Sequence, residues 1–113
     1  MKTRKELKEE YKNRKPRMGV FLIRNKQSNR VLLDFSTDIP AKWNRHRTEL
    51  NFGNHRNRSL QADWNETGEA NFSFEVVTEL KTREGERVDY REELRVLKDM
   101  VSEEMALGES DTY

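Results

Sequence analysis

The residues of this 113-residue chain best suited to chemistry are an imidazole, a carboxylate and a run of cations. His46 shares a helical face with Trp43 and Leu50. A histidine there is either a partly buried, hydrogen-bonded ring or a general base, because its ordinary pKa lies close to neutrality. Glu93 shares an arc with Leu97 and Met100. A carboxylate among apolar neighbours wants a partner, and a solvated surface position is the plain alternative. Lys42, Arg45, Arg47, Arg56 and Arg58 are opposed only by Glu49 between residues 42 and 58, so they can form one basic, phosphate-attracting surface. His46 and His55 lie on either side of a helix end, a spacing with no firm basis as a metal pair. Trp43 and Trp64 read as core anchors before they read as base-stacking platforms. The chain has no cysteine, which removes thiol nucleophiles, disulfides and zinc ribbons.

Positioning these groups takes a small domain. With 33% hydrophobic and 38% charged residues, the core is modest and the surface heavily solvated. Residues 1–58 carry 16 Lys/Arg against 6 Asp/Glu (+10) and residues 59–113 carry 6 against 15 (−9), which sums to the net +1. Such halves attract phosphate, pair within the fold, or associate head to tail with another copy. No apolar run approaches the length of a membrane helix, and the start is charged, so the expectation is a cytoplasmic protein with no membrane contact.

Residues 1–18 form a charged N-terminal segment, read as a short helix closed by Pro16. Residues 19–24 and 30–33 are β-favouring on either side of a turn-rich stretch, which predicts a hairpin. Asp38 can cap a helix that tolerates Pro40 in its first turn and ends at Gly53. A second helix from about residue 57 to 65 buries Leu60 and Trp64 before Gly68 breaks it. Phe72, Phe74 and Val76 alternate with polar residues as in a half-buried strand. After a polar turn at 82–86, Tyr90, Leu94, Leu97, Val101 and Met105 mark an amphipathic helix to about Leu107, and residues 108–113 are expected to fray. The fold class is α/β (α+β): a small three-stranded, mainly antiparallel sheet flanked by helices, in the order β-β-α-α-β-α.

From Gly19 to Met105 the sequence resembles the GIY-YIG endonuclease superfamily. Gly19-Val20-Phe21 and Leu32-Leu33-Asp34 stand where the two namesake tripeptides fall. The stretch Trp43-Asn44-Arg45-His46, then Leu50, Gly53, His55, Leu60-Gln61, Trp64-Asn65, Gly68 and Phe72, resembles the family's helical hairpin. The resemblance implies one GIY-YIG-like domain over residues 19–107. It also implies catalytic positions at Phe21, Leu32, Lys42 and His46, and a metal-binding glutamate at Glu93 that would hold Mg2+ or Mn2+.

Several of these positions lack the chemistry the resemblance calls for. Phosphodiester hydrolysis needs a metal, a base and a cation facing the transition state. Phe21 and Leu32 have no hydroxyl where the family keeps tyrosines, and Lys42 offers a point charge where it keeps an arginine fork. Asp34, at a family glycine, puts a carboxylate near the phosphate path, where it opposes substrate or, alternatively, adds a metal ligand. Three readings follow. The first is a nuclease-like domain with a degraded active site that retains weak, sequence-independent nucleic-acid binding through Lys42, Arg45, Arg47, Arg56 and Arg58. The second is an active metal-dependent endonuclease using His46, Lys42 and Glu93. The third is a self-associating or protein-interaction module.

Overall fold

A computed structural model describes Thr3, residues 17–81 and residues 89–113. The helix expected before Pro16 and the turn expected at 82–86 lie outside the described residues. Strand β1 is Met18–Asn25, and every residue in it except Arg24 is buried. That is the signature of a central strand covered on both faces. It pairs antiparallel with β2 (Val31–Ser36) on one side and with β3 (Phe72–Leu80) on the other, giving the order β2-β1-β3.

The β1–β2 hairpin turns on Asn25, whose side-chain oxygen accepts the backbone N–H groups of Gln27 and Ser28 at 2.9 and 3.2 Å. Such a local bond lets asparagine mimic a backbone turn. Gly19 is fixed by close approach: a Cβ there would overlap the carbonyl oxygen of Thr78 on β3. Just beyond it the register slips, with Val20 opposite Thr78 and Phe21 opposite Val76, so Val77 is the extra residue of an irregularity in β3.

Helices cover both faces of the sheet. Helix α1 (Ile39–Phe52) is capped by Asp38, whose carboxylate accepts the Ala41 N–H. It stops at Gly53, whose φ of 80° is a left-handed conformation that favours glycine. Helix α2 (Arg58–Thr67) is capped by Asn57 and ends at Gly68. The hairpin of α1 and α2 packs Leu50, Leu60 and Trp64 against Ile23 and Phe72. On the opposite face, Val101 of α3 (Tyr90–Glu104) joins Val20, Leu22, Val31 and Leu33. The tryptophans anchor the hairpin to β3, Trp43 stacked on Phe74 at 4.7 Å and Trp64 tilted against Phe72 at 5.1 Å.

One expectation needs correction. Helix α3 stops at Glu104 rather than near Leu107, because Ala106 reverses the chain with a φ of 52°. The C-terminal residues, expected to fray, make contacts the sequence did not foretell. Tyr113 donates its backbone N–H to the Val31 carbonyl, extending the β2 edge, and its hydroxyl donates to Asp63 at 2.6 Å and accepts from Asn25 at 2.9 Å. The Arg30 guanidinium lies 4.3 Å above the Tyr113 ring and donates to the Thr112 carbonyl. These bonds, together with partial burial of the ring, offset the entropy that frees most chain ends.

Candidate functional site

A cleft of about 270 Å³ opens along the outer edge of β2, between that strand, the exposed flank of α1, the α1–α2 turn and one side of α3. Strand β2 contributes Leu32, Leu33 and Asp34; α1 contributes Lys42, Arg45, His46 and Glu49; the turn contributes His55, Arg56 and Asn57; and α3 contributes Lys98.

The floor of the cleft is a hydrogen-bonded chain. His46 Nε2 lies 2.8 Å from Asp34 Oδ2, and His46 Nδ1 lies 2.8 Å from His55 Nε2. The Asn57 backbone N–H donates to His55 Nδ1 at 3.0 Å. A backbone N–H can only donate, so this last bond assigns the whole chain. His55 Nδ1 accepts, and its proton therefore sits on Nε2. That proton is donated to His46 Nδ1, and His46 donates its own Nε2–H to the Asp34 carboxylate. Any other protonation state sets two donors or two lone pairs face to face. Both rings are thus neutral and both nitrogens of His46 are engaged.

The groups around the chain keep it in that state. Burial alone would raise the Asp34 carboxyl, but the His46 hydrogen bond, the Phe35 N–H and the charge of Lys42 together outweigh burial and hold it below the ordinary value. The Phe35 N–H reaches Asp34 Oδ1 at 2.7 Å, and Lys42 Nζ stands 3.9 Å from Oδ2. Burial, and then the charge His46 would carry, hold His55 below the ordinary histidine value. His55 is 6% exposed, and its backbone N–H donates to Gln61 Oε1 at 3.0 Å. Gln61 in turn donates to the Leu50 carbonyl and to Asn65, tying the turn to both helices.

The positions implied by the family resemblance divide into two sets. Leu32, Lys42 and His46 line the cleft. Phe21 lies behind its wall, fully buried and edge-on to the His46 ring at 6.0 Å. Glu93 does not join them: with Glu92, Leu80, Val96, Leu97 and Met100 it lines a separate shallow groove on the other side of α3. Helix geometry turns each residue about 100° from the last, and it is Leu94, fully buried one turn before Lys98, that faces inward. The carboxylate expected to hold Mg2+ or Mn2+ therefore does not line the cleft with Lys42 and His46. Among the described residues no three carboxylate, histidine or cysteine side chains converge in a way that would hold a metal ion. His46 and His55 do not fit one either, because a metal on His55 Nε2 would force its proton onto Nδ1, against the Asn57 N–H.

The cations expected to form one surface also divide. Lys42, Arg45 and Arg56 line the cleft. Arg47 turns away, bonded to Glu69 at 2.8 Å and lying 5.9 Å over the Trp43 ring. Arg58 opens α2, exposed and outside the cleft lining. Arg45 is shared with Glu49 at 3.2 Å. Sequence reasoning missed Lys98, whose ammonium lies 6.0 Å from the Phe35 ring, and set aside His55, the ring that fixes His46. The acids of α3 do not neutralise the cleft through ion pairs among the described residues, since Glu92 and Asp99 both pair with Arg95.

No protein-family model matches this sequence, and no curated protein matches it in sequence. Two solved structures match it in three dimensions. A variant of the catalytic domain of intron endonuclease I-TevI superposes with a TM-score of 0.69 at 21% identity, over 86% of this chain and 91% of that one. The catalytic domain of homing endonuclease I-TevI gives 0.68 at 21% identity, over 85% and 95%. The antiparallel β2-β1-β3 sheet with its helices is thus a GIY-YIG-like fold, the one those catalytic domains share.

Proposed function

We propose that this chain is a nuclease-like domain with a degraded active site, weak or inactive as a phosphodiesterase, whose cleft binds the phosphate backbone of nucleic acid without reading its sequence. One observation carries the reading: the Asp34–His46–His55–Asn57 chain engages both nitrogens of His46, so the one imidazole with a claim to general-base work has no lone pair facing a substrate. Phe21 supplies neither proton acceptor nor donor. Lys42, Arg45, Arg56 and Lys98 against Asp34 and Glu49 leave the cleft lining net positive, which favours a polyanion, and the cation beside Asp34 and His46 is Lys42, a point charge rather than a guanidinium fork.

The test is nicking of supercoiled DNA with Mg2+ or Mn2+, beside titration of labelled DNA and RNA at low and moderate salt. Binding without nicking supports the proposal. Metal-dependent nicking abolished by Glu93→Gln would establish instead an active endonuclease using His46, Lys42 and Glu93, a reading that draws on the likeness to catalytic domains. Salt-sensitive self-association with no nucleic-acid affinity would favour an interaction module, which draws on the opposite charges of the two halves of the chain.

A further inference from the structure

The cleft's two innermost donors already hold an anion. His46 Nε2 and Lys42 Nζ converge on one oxygen of Asp34 at 2.8 and 3.9 Å, as they would on a phosphate oxygen. The carboxylate's other oxygen is pinned by the Phe35 N–H, so the group is held in place rather than swinging on a free side chain. Its side chain is 21% exposed and faces the open volume of the cleft. At the rim, Arg56 and Lys98 have no ion pair to a described carboxylate. A polyanion therefore meets, at the rim, cations that no described carboxylate pairs with, and an occupied seat within.

We propose that Asp34 is a tethered anion in the cleft's phosphate seat, so that a nucleic-acid phosphate must displace its carboxylate from His46 and Lys42 in order to bind there. Asp34 is then the residue that sets the affinity and selectivity of the cleft, resting on the nucleic-acid reading above. A ligand that stays at the rim keeps Asp34 seated and is bound loosely. One that enters must exchange its own phosphate for the carboxylate, donor for donor.

The test uses the full chain and a fluorescein-labelled DNA duplex, titrated against wild type, Asp34→Asn and Asp34→Ser over a range of salt. Two replacements are used because asparagine and serine remove the charge but differ in the hydrogen bond they return to His46. Removing one like charge a few ångströms from a bound phosphate should tighten binding by about tenfold at low salt. The log–log salt slope should stay the same, because the seated phosphate contacts Lys42 whether it displaces Asp34 or enters an open seat. A merely structural role for Asp34 would not tighten binding in both variants. In the unmodified chain, the His46 Nε2–H proton resonance should move when the duplex is added. Wild-type binding with unchanged or weaker binding in both variants, or binding that leaves His46 unperturbed, overturns the tethered anion and leaves the nucleic-acid reading intact. No binding by wild type or either variant, even at low ionic strength, overturns both.

Discussion

Replacing Gln61 with alanine should loosen the cleft from beneath without touching a residue that lines it. Gln61 is 7% exposed, and its amide accepts the His55 N–H while donating to the Leu50 carbonyl and to Asn65. Leu50 O keeps a second donor in Gly53 N–H, so its loss is partial. His55 N–H, on a buried residue, is left with no acceptor. An unsatisfied buried donor costs about 1–3 kcal/mol, and one lost methylene of packing brings the total to about 2–4 kcal/mol. With an unfolding entropy of about 2.1 cal/mol/K per residue, a 113-residue chain loses about 8–17 °C in Tm. Calorimetry reads the loss, and NMR titration reads its consequence, because a turn no longer tied to both helices exposes His55 and returns its titration toward the ordinary histidine value. A drop below about 4 °C, the equivalent of roughly 1 kcal/mol, would mean that water replaces Gln61 and that the turn is not held as argued. A full drop with unchanged His55 titration would separate hairpin stability from the histidine chain.

Stability should fall with acid in two stages. The folded state depresses both His55 and Asp34, so each contribution is complete above the unfolded value and is lost as pH falls through the folded one. Urea midpoints should therefore decline below about pH 6.5 for the histidine and again below about 4 for the carboxylate, and a flat or rising profile would contradict the neutral chain. Tyr113→Phe removes a hydroxyl that donates to Asp63 and accepts from Asn25, costing about 1–3 kcal/mol and raising amide exchange at Thr112 and Tyr113; unchanged exchange would show the tail to be held by its backbone alone. Gly19→Ala forces a Cβ into the Thr78 carbonyl and should cost about 1–3 kcal/mol by calorimetry; a neutral result would show β1 and β3 to be less closely apposed. The variant Phe21→Tyr, Leu32→Tyr, Lys42→Arg should still fail to nick DNA, because His55 fixes the His46 proton on Nε2, leaving no base there, and Glu93 lines another groove; robust metal-dependent nicking would refute that account.

What the sequence made legible was whatever a single element determines. Asp38, Pro40 and Gly53 mark the ends of α1 through local backbone chemistry, and the alternation of Phe72, Phe74 and Val76 marks β3 through its period. The face of α1 carrying Trp43, His46 and Leu50 was equally readable. What His46 meets on that face was not, because Asp34, His55 and Asn57 come from a strand and a turn whose apposition only the fold supplies. Tyr113 is the same case, held by Val31, Asn25 and Asp63 from three different segments.

Glu93 shows how two sequence signals can disagree and which one physics favours. The spacing of Tyr90, Leu94, Leu97, Val101 and Met105 turns Leu94 and Val101 inward, and a glutamate one residue before Leu94 is rotated by about 100° from that line. Family resemblance instead set Glu93 in the cleft, across a loop whose length controls the helix's register. Burying Leu94 and Val101 removes apolar surface from water, at about 25 cal/mol per Å², whereas turning Glu93 inward would bury a carboxylate and expose leucine. The helix takes the rotation that its apolar residues dictate, and Lys98 rather than Glu93 is the charge it presents to the cleft. On the function proposed above, a wall that offers a cation where hydrolysis would want a metal-holding carboxylate suits holding a phosphate better than cutting beside one.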